Sequence, residues 1–328
     1  MALNYPRLDN ASGIWTMKEV ADAVKGGYWP NAGARGIFGG GQDPNKTNVI
    51  DYITIATTGN ATDFGDLTRS DATAAGVSSF TRGFWMGGDT PSGYSDVIDY
   101  VTIVTTGDAA DFGDLTGGRG QHCGASNSVR GIGAGGSPTT DVICYFDMAS
   151  AGNATDFGDL TDSRVNMGGT ASPTRGVFAG GKDPTKKNII EYITIASTGD
   201  GVDFGDLTAT LAAPRACSSS TRGAFGGGYT PTYQKGVEYI EIASTGNSID
   251  YGDLTTIGAF MGCISNSRRG IWAGTRSPAG NIIDYLAIAS GGTGADFGDL
   301  SVDRDSLQGG ASNAHGGLCD GNLGVVDT

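Results

Sequence analysis

The chain has 328 residues, of which 57 are Gly, and its 35 Asp and Glu outnumber 21 Lys and Arg for a net charge of −14. That balance argues against a nucleic-acid partner, because affinity for a polyanion is built from phosphate-neutralising Lys and Arg. A hydrophobic content of 38% with 9% aromatics is too high for a disordered chain, and there is neither a Gly-X-Y period nor an apolar run long enough to span a bilayer.

The opening residues, MALNYPRLDNASG, lack a basic stretch followed by an apolar one, so no signal peptide and no Sec secretion are expected. Residues 9–30 match nothing later in the chain. Within them Ile14, Met17, Val20, Ala21 and Val24 fall at helical spacing, Thr16 and Glu19 fit a capping box, and Gly26-Gly27 ends the pattern. The expectation is a short N-terminal helix that either covers one edge of the fold or docks onto a larger assembly. Ile14, Trp15, Tyr28 and Trp29 are more apolar surface than so short a helix hides by itself, and they are the candidate docking interface.

From residue 31 onward one unit of about 47 residues repeats. Asp-Phe-Gly-Asp-Leu begins at Asp63, Asp111, Asp156, Asp203 and Asp296, with Asp-Tyr-Gly-Asp-Leu at Asp250. An Arg-Gly pair opens a Gly-rich strand at Arg35, Arg82, Arg130, Arg175, Arg222 and Arg269, and His315-Gly316 continues the series. Each unit reads as four short strands: a small polar one, a Gly-rich one, an apolar one and the Asp-Phe-Gly-Asp-Leu strand, with Gly and Asn turn signals between them. The third strand, Val49 to Ala56 in the first unit, is apolar at both parities, as expected when both faces are covered.

A repeated four-stranded unit packed on both faces is a propeller blade, so the fold expected is an all-β propeller over residues 31–328, with residues 1–30 as a closing strand and docking helix. The strand order resembles the kelch repeat, although Phe64, Phe112, Phe157, Phe204, Tyr251 and Phe297 stand where that repeat usually places Trp. Gly316 to Cys319 and Val325-Val326-Asp327 look like the start of a seventh unit. Seven blades are therefore expected, closed by residues Ala2 to Leu8; six with a spare C-terminal hairpin is the alternative.

The stretch from Ser12-Gly13-Ile14-Trp15-Thr16-Met17 to Trp29-Pro30 looks like the start of many structural proteins of tailed, especially marine, bacteriophages, and the repeat array resembles phage appendage proteins. The resemblance implies a virion component in a tail, neck or head appendage. Its implied partners are other virion proteins in multiple copies, with possible host-surface glycan contact. A carbohydrate-binding or carbohydrate-processing propeller outside a virion is the alternative.

Chemistry is sparse. Asp-Phe-Gly occurs in protein kinases too, but here it recurs without a Gly-rich phosphate loop or catalytic-loop sequence, so it reads as structural. Calcium on the recurring carboxylates is an alternative that no Asp-x-Asp-x-Asp-Gly run supports, and no cofactor or metal is expected. His122 and His315 are the only histidines, too few for a three-His zinc site, and the five cysteines show no Cys-x-x-Cys and are expected as free thiols. The Arg-Gly arginines are expected to pair with third-strand acids such as Asp51, Asp99 and Glu191 and so join the blades. No catalytic residue stands out, and a non-enzyme is expected. The loops between second and third strands (QDPNKTN, DTPSGYSD, SPTTD, KDPTKKN, YTPTYQKG, TRSPAGN) differ most and lie on one face. Their aromatic tips Tyr94, Tyr229 and Tyr233 are the candidate binding residues.

Overall fold

The computed structural model describes residues 34–276, 280–307 and 309–318. Among them all regular structure is strand. Six sheets form a propeller; five have four antiparallel strands, and the fifth blade's four are joined by a short parallel strand, Gly292–Thr293. The second blade, for example, runs outward from the axis as Ala75–Ser78, Arg82–Met86, Val97–Thr102 and Ala110–Asp114. The inner strand of each blade lies against those of both neighbours, and the series closes on itself.

The blade count is six, not seven. The first blade has Arg35–Gly39, Thr47–Thr54 and Thr62–Asp71 from its own unit, and its inner strand is Gly310–Ser312 from the far end of the chain. Ile37 pairs with Ala311 and Phe38 with Gly310. What looks in the sequence like the start of a seventh unit supplies the missing strand of the first, and Gly316-Gly317-Leu318 follows as turn, not strand. The expected closing strand at Ala2 to Leu8 and the N-terminal helix lie outside the described residues. So does the expected third-strand start at Val325.

A constraint at the axis explains the composition of the inner strands. A Cβ on Gly169 would sit 2.3 Å from the Gly124 carbonyl oxygen of the preceding blade, so the strands approach too closely there for any side chain. At the other end of these strands Ser78, Ser126, Ser218, Ser265 and Ser312 stitch the ring. Each hydroxyl donates to the preceding blade's carbonyl, as from Ser78 to Ser312 (2.7 Å), Ser126 to Ser78 (3.0 Å) and Ser265 to Ser218 (2.8 Å). Ala171 occupies the equivalent position in the fourth blade.

The apolar core is divided among the boundaries between blades, and each of the six hydrophobic clusters draws on two adjacent blades. This is why the third strand is apolar at both parities. The Asp-Phe-Gly-Asp-Leu strand is a joint. Phe64 packs edge-on against Tyr52 of its own blade (6.0 Å, 77°), and Leu67 is buried. Gly65 has φ +146°, and a Cβ there would meet the Gly107 carbonyl of the next blade at 2.5 Å. That proximity lets the Gly107 N–H donate to Phe64 O (2.8 Å) and the Ala109 N–H to Asp66 O (2.8 Å).

The arginines of the Arg-Gly pairs do join the blades, but through rings and carbonyls. Arg35 lies over Tyr52 at 4.3 Å and donates to Ile103 O of the next blade at 3.1 Å. Arg175 repeats this with Tyr192 (4.4 Å) and Ile242 O (2.8 Å), and Arg269 closes the circle with Tyr285 (4.7 Å) and Ile55 O (3.1 Å). The third-strand acids turn the other way. Asp99 accepts from Thr68 N–H and Oγ1 (3.2 and 2.7 Å) and from Arg69, Glu191 pairs with Arg164, and Asp51 with Arg304. Those arginines follow the Asp-Phe-Gly-Asp-Leu phrase by two to four residues. The expected Arg–carboxylate bridges exist with a different set of arginines, because the Arg-Gly side chains stand at the opposite end of the blade.

Two outcomes follow. A chain ending at Leu307 should lose several kcal/mol and about 10 °C or more in Tm, since it bares the edges of the first blade; an unchanged melting curve would contradict closure by Gly310–Ser312. Arg175→Met should cost about 1–2 kcal/mol, the size of a partly exposed cation–π contact with a charged hydrogen bond, and chemical denaturation measures it.

Candidate functional site

Alternation of strand direction puts the variable loops on one face of the ring, together with the connections that lead into each next inner strand. Tyr94 ends the small hairpin Asp89–Thr90 and Gly93–Tyr94, is 40% exposed, and accepts a hydrogen bond from Ser137 Oγ of the third blade (2.9 Å). Tyr229 and Tyr233 pair within the fifth blade's loop with ring centroids 5.2 Å apart and planes tilted by 55°. Lys186 from the fourth blade's loop places its Nζ 4.1 Å from the centre of Tyr229. The second and fifth blades stand opposite each other in a ring of six, so Tyr94 is not brought together with the tyrosine pair. Ile14, Trp15, Tyr28 and Trp29 lie outside the described residues.

These loops are tied down at their bases. Lys46 in the first blade's loop bridges to Asp89 (2.8 Å) and donates to Thr90 O (2.8 Å), and Lys187 pairs with Asp162 at 2.8 Å. Beneath them Thr73, Gln121, Asn166, Ala213, Phe260 and Ser306, one at each blade boundary, have φ between 55° and 63°. Their main chains link around the axis: Gln121 N–H donates to Thr73 O (3.1 Å), Asn166 N–H to Gln121 O (2.8 Å) and Ala213 N–H to Asn166 O (2.8 Å). A left-handed residue at each boundary turns the chain from the outer strand of one blade to the inner strand of the next.

The axis, where many propellers hold a ligand, is narrow and blocked. One space along it has about 60 Å³ and another about 40 Å³, against the roughly 300 Å³ or more of an ordinary small-molecule site. At the end away from the variable loops the C-terminal segment crosses the opening. His315 Nδ1 accepts from Gly317 N–H (3.0 Å), which leaves Nε2–H to donate to Ser78 O (2.9 Å) and Ser126 Oγ (3.2 Å). Leu318 is buried beside it. At the loop end Arg215 and His122 wall the smaller space. Sequence reasoning missed Arg215 and counted His122 and His315 only as insufficient for a metal.

Burial dominates the electrostatics. His315 is pushed down to about 4 and His122 to about 3, so both imidazoles are neutral near pH 7. Asp71 is raised to about 7 by burial, only partly offset by Arg69 at 3.5 Å, a guanidinium shared with Asp99. Among the described residues no hydrogen bond reaches either Asp71 carboxylate oxygen, and no group of three or more His, Cys, Asp or Glu could hold a metal ion. Asp63 and Asp66 are exposed. Cys123, Cys144 and Cys217 are free and buried, Cys263 is free and half-buried, and Cys319 lies outside the described residues. No helix among the described residues is long and apolar enough to cross a membrane. No protein-family profile matches the sequence, and no curated protein sequence matches it either.

The two kinds of buried group bend the stability profile in opposite senses. His315, with a folded pKa below its unfolded value, adds stability that is complete above about 6.5 and is lost as pH falls through about 4. Asp71, raised from 3.8 to about 7, adds stability that is complete below 3.8 and is lost as pH rises through about 7. Asp71→Asn should therefore gain over the parent as pH rises from 4 to 7, reaching on the order of 3 kcal/mol. A gain that is the same at both ends of that window, in urea melts, would contradict the assignment.

Proposed function

We propose that this chain is a non-enzymatic, structural β-propeller of a tailed-phage virion, part of a tail, neck or head appendage, whose variable-loop face makes the recognition contacts. The observation that carries the reading is the blocked axis above a ring joined at every blade boundary. The surfaces left for recognition are the unlike loops, held on a scaffold that does not need them for its own stability. The likeness of the Asp-Phe-Gly-Asp-Leu array to phage appendage proteins and the phage-like style of residues 12–30 support the virion setting, and both imidazoles that acid–base chemistry would call on are buried and neutral. Incorporation as several copies among other virion proteins, by way of residues 9–30, belongs to the same reading. Immunogold labelling of the source particles with an antibody to the ring should mark an appendage. Unlabelled particles from cells that make the protein would overturn it.

The Tyr229–Tyr233 pair favours a second reading, carbohydrate binding outside a virion, since planar rings beside Thr230, Thr232 and Lys186 suit the apolar face of a sugar. On a glycan array that reading expects a bound class that Tyr229→Ala with Tyr233→Ala weakens about tenfold or more, while Tyr94→Ala, across the ring, leaves it unchanged.

A further inference from the structure

The smaller axial space differs from everything around it in its charge. Its walls are Arg215, His122, Cys123, Met167 and Cys263, completed by inner-strand backbone. Arg215 is the first residue of its inner strand, where the second, third, fourth and sixth blades begin with Ala75, Cys123, Gly168 and Gly262. A single long cation thus fills a position that is otherwise small, and it is only 4% exposed. Its Nη1 donates to Met167 O at 2.9 Å and Pro214 O at 3.3 Å. Its Nε and Nη2 meet no acceptor among the described residues.

The other buried guanidiniums are arranged differently. Arg69, Arg164 and Arg304 each face a carboxylate, and Arg119, which has none among the described residues, directs its Nη1 to Gly135 O and Val142 O and its Nη2 to Thr116 Oγ1. Arg215 has no carboxylate among the described residues, and the titratable groups whose charge acts on it are the Cys123 and Cys263 thiols. Burial pushes Cys123 up to about 12, Cys263 rises well above its usual value, and His122 is neutral. Arg215 itself falls only to about 10 and stays protonated at pH 7. Among the described residues the cavity therefore has one full positive charge, two nitrogen donors without acceptors, and no anion. An unpaired buried charge is costly, and a bound counter-ion offsets that cost.

We propose that the cavity beside Arg215 is a binding site for a small monovalent anion of halide size, held by the Arg215 Nε–H and Nη2–H with His122 in its wall. A space of about 40 Å³ has room for about three water-sized bodies, enough for chloride and a water and too little for a sugar or a peptide. The site lies on the axis where the fifth blade's inner strand begins, so its occupant would act as a structural ion between blades.

Crystals of the full chain grown with bromide in place of chloride test this directly. An anomalous peak within hydrogen-bonding distance of Arg215 Nε and Nη2 is the expected result, and featureless solvent density there would overturn the site. In solution, chloride titrated against gluconate at fixed ionic strength should raise Tm along a saturating curve. Arg215→Met should abolish that rise whatever its own stability, whereas Lys182→Ala, at an exposed cation, should retain it. The same chloride response in the parent and Arg215→Met would overturn the proposal, and if Arg215→Met does not fold, the bromide experiment decides.

Discussion

Contact between inner strands at the axis is the constraint on which the rest of the structure depends. Gly169 against the Gly124 carbonyl leaves no room for a side chain, and the serine hydroxyls at the other end of these strands reach the neighbouring blade directly. A ring this tight tolerates no missing member. The inner strand that the first unit needs comes from Gly310–Ser312, so the residues that complete the sheet also join the two ends of the propeller. Residues 313–318 continue from that strand across the opening, which makes closure of the ring and blockage of the axis parts of one event.

Outward from the axis, the repeated phrase works at interfaces. Phe64 and Leu67 fill the core at a blade boundary, and Gly65 admits the next blade's turn to hydrogen-bonding distance. The Arg-Gly arginines grip the following blade at one end of the sheet, while a second set of arginines meets the third-strand acids toward the other. Because the same contacts recur around the ring, they account for repetition without invoking repeated active sites. They also leave the loops between second and third strands free to differ.

Much of this was legible in the sequence. The repeat, its four strands, the two-sided burial of the third strand and the propeller itself follow from periodicity and turn residues. The blade number was misread because a C-terminal inner strand looks the same whether it begins a new blade or completes the first, and only pairing distinguishes them. The partners of Arg35 and its equivalents were misassigned because sequence proximity does not say at which end of a strand a side chain stands. Tyr94 and Tyr229 occupy the same repeat position and the same face, but a ring of six puts their blades on opposite sides. Arg215 did leave a signal, since aligned inner strands begin with small residues in most other blades. Its burial without a carboxylate could be seen only once the chain was folded.

Amide hydrogen exchange at the first blade tests the central claim of a six-bladed ring closed by its C-terminal strand. If Gly310–Ser312 is the inner strand, the amides of residues 36–38 and 310–312 should exchange together and slowly, at the rate of global unfolding, because neither strand can leave without opening the ring. Fast exchange at 310–312, with the other inner strands still protected, would contradict it.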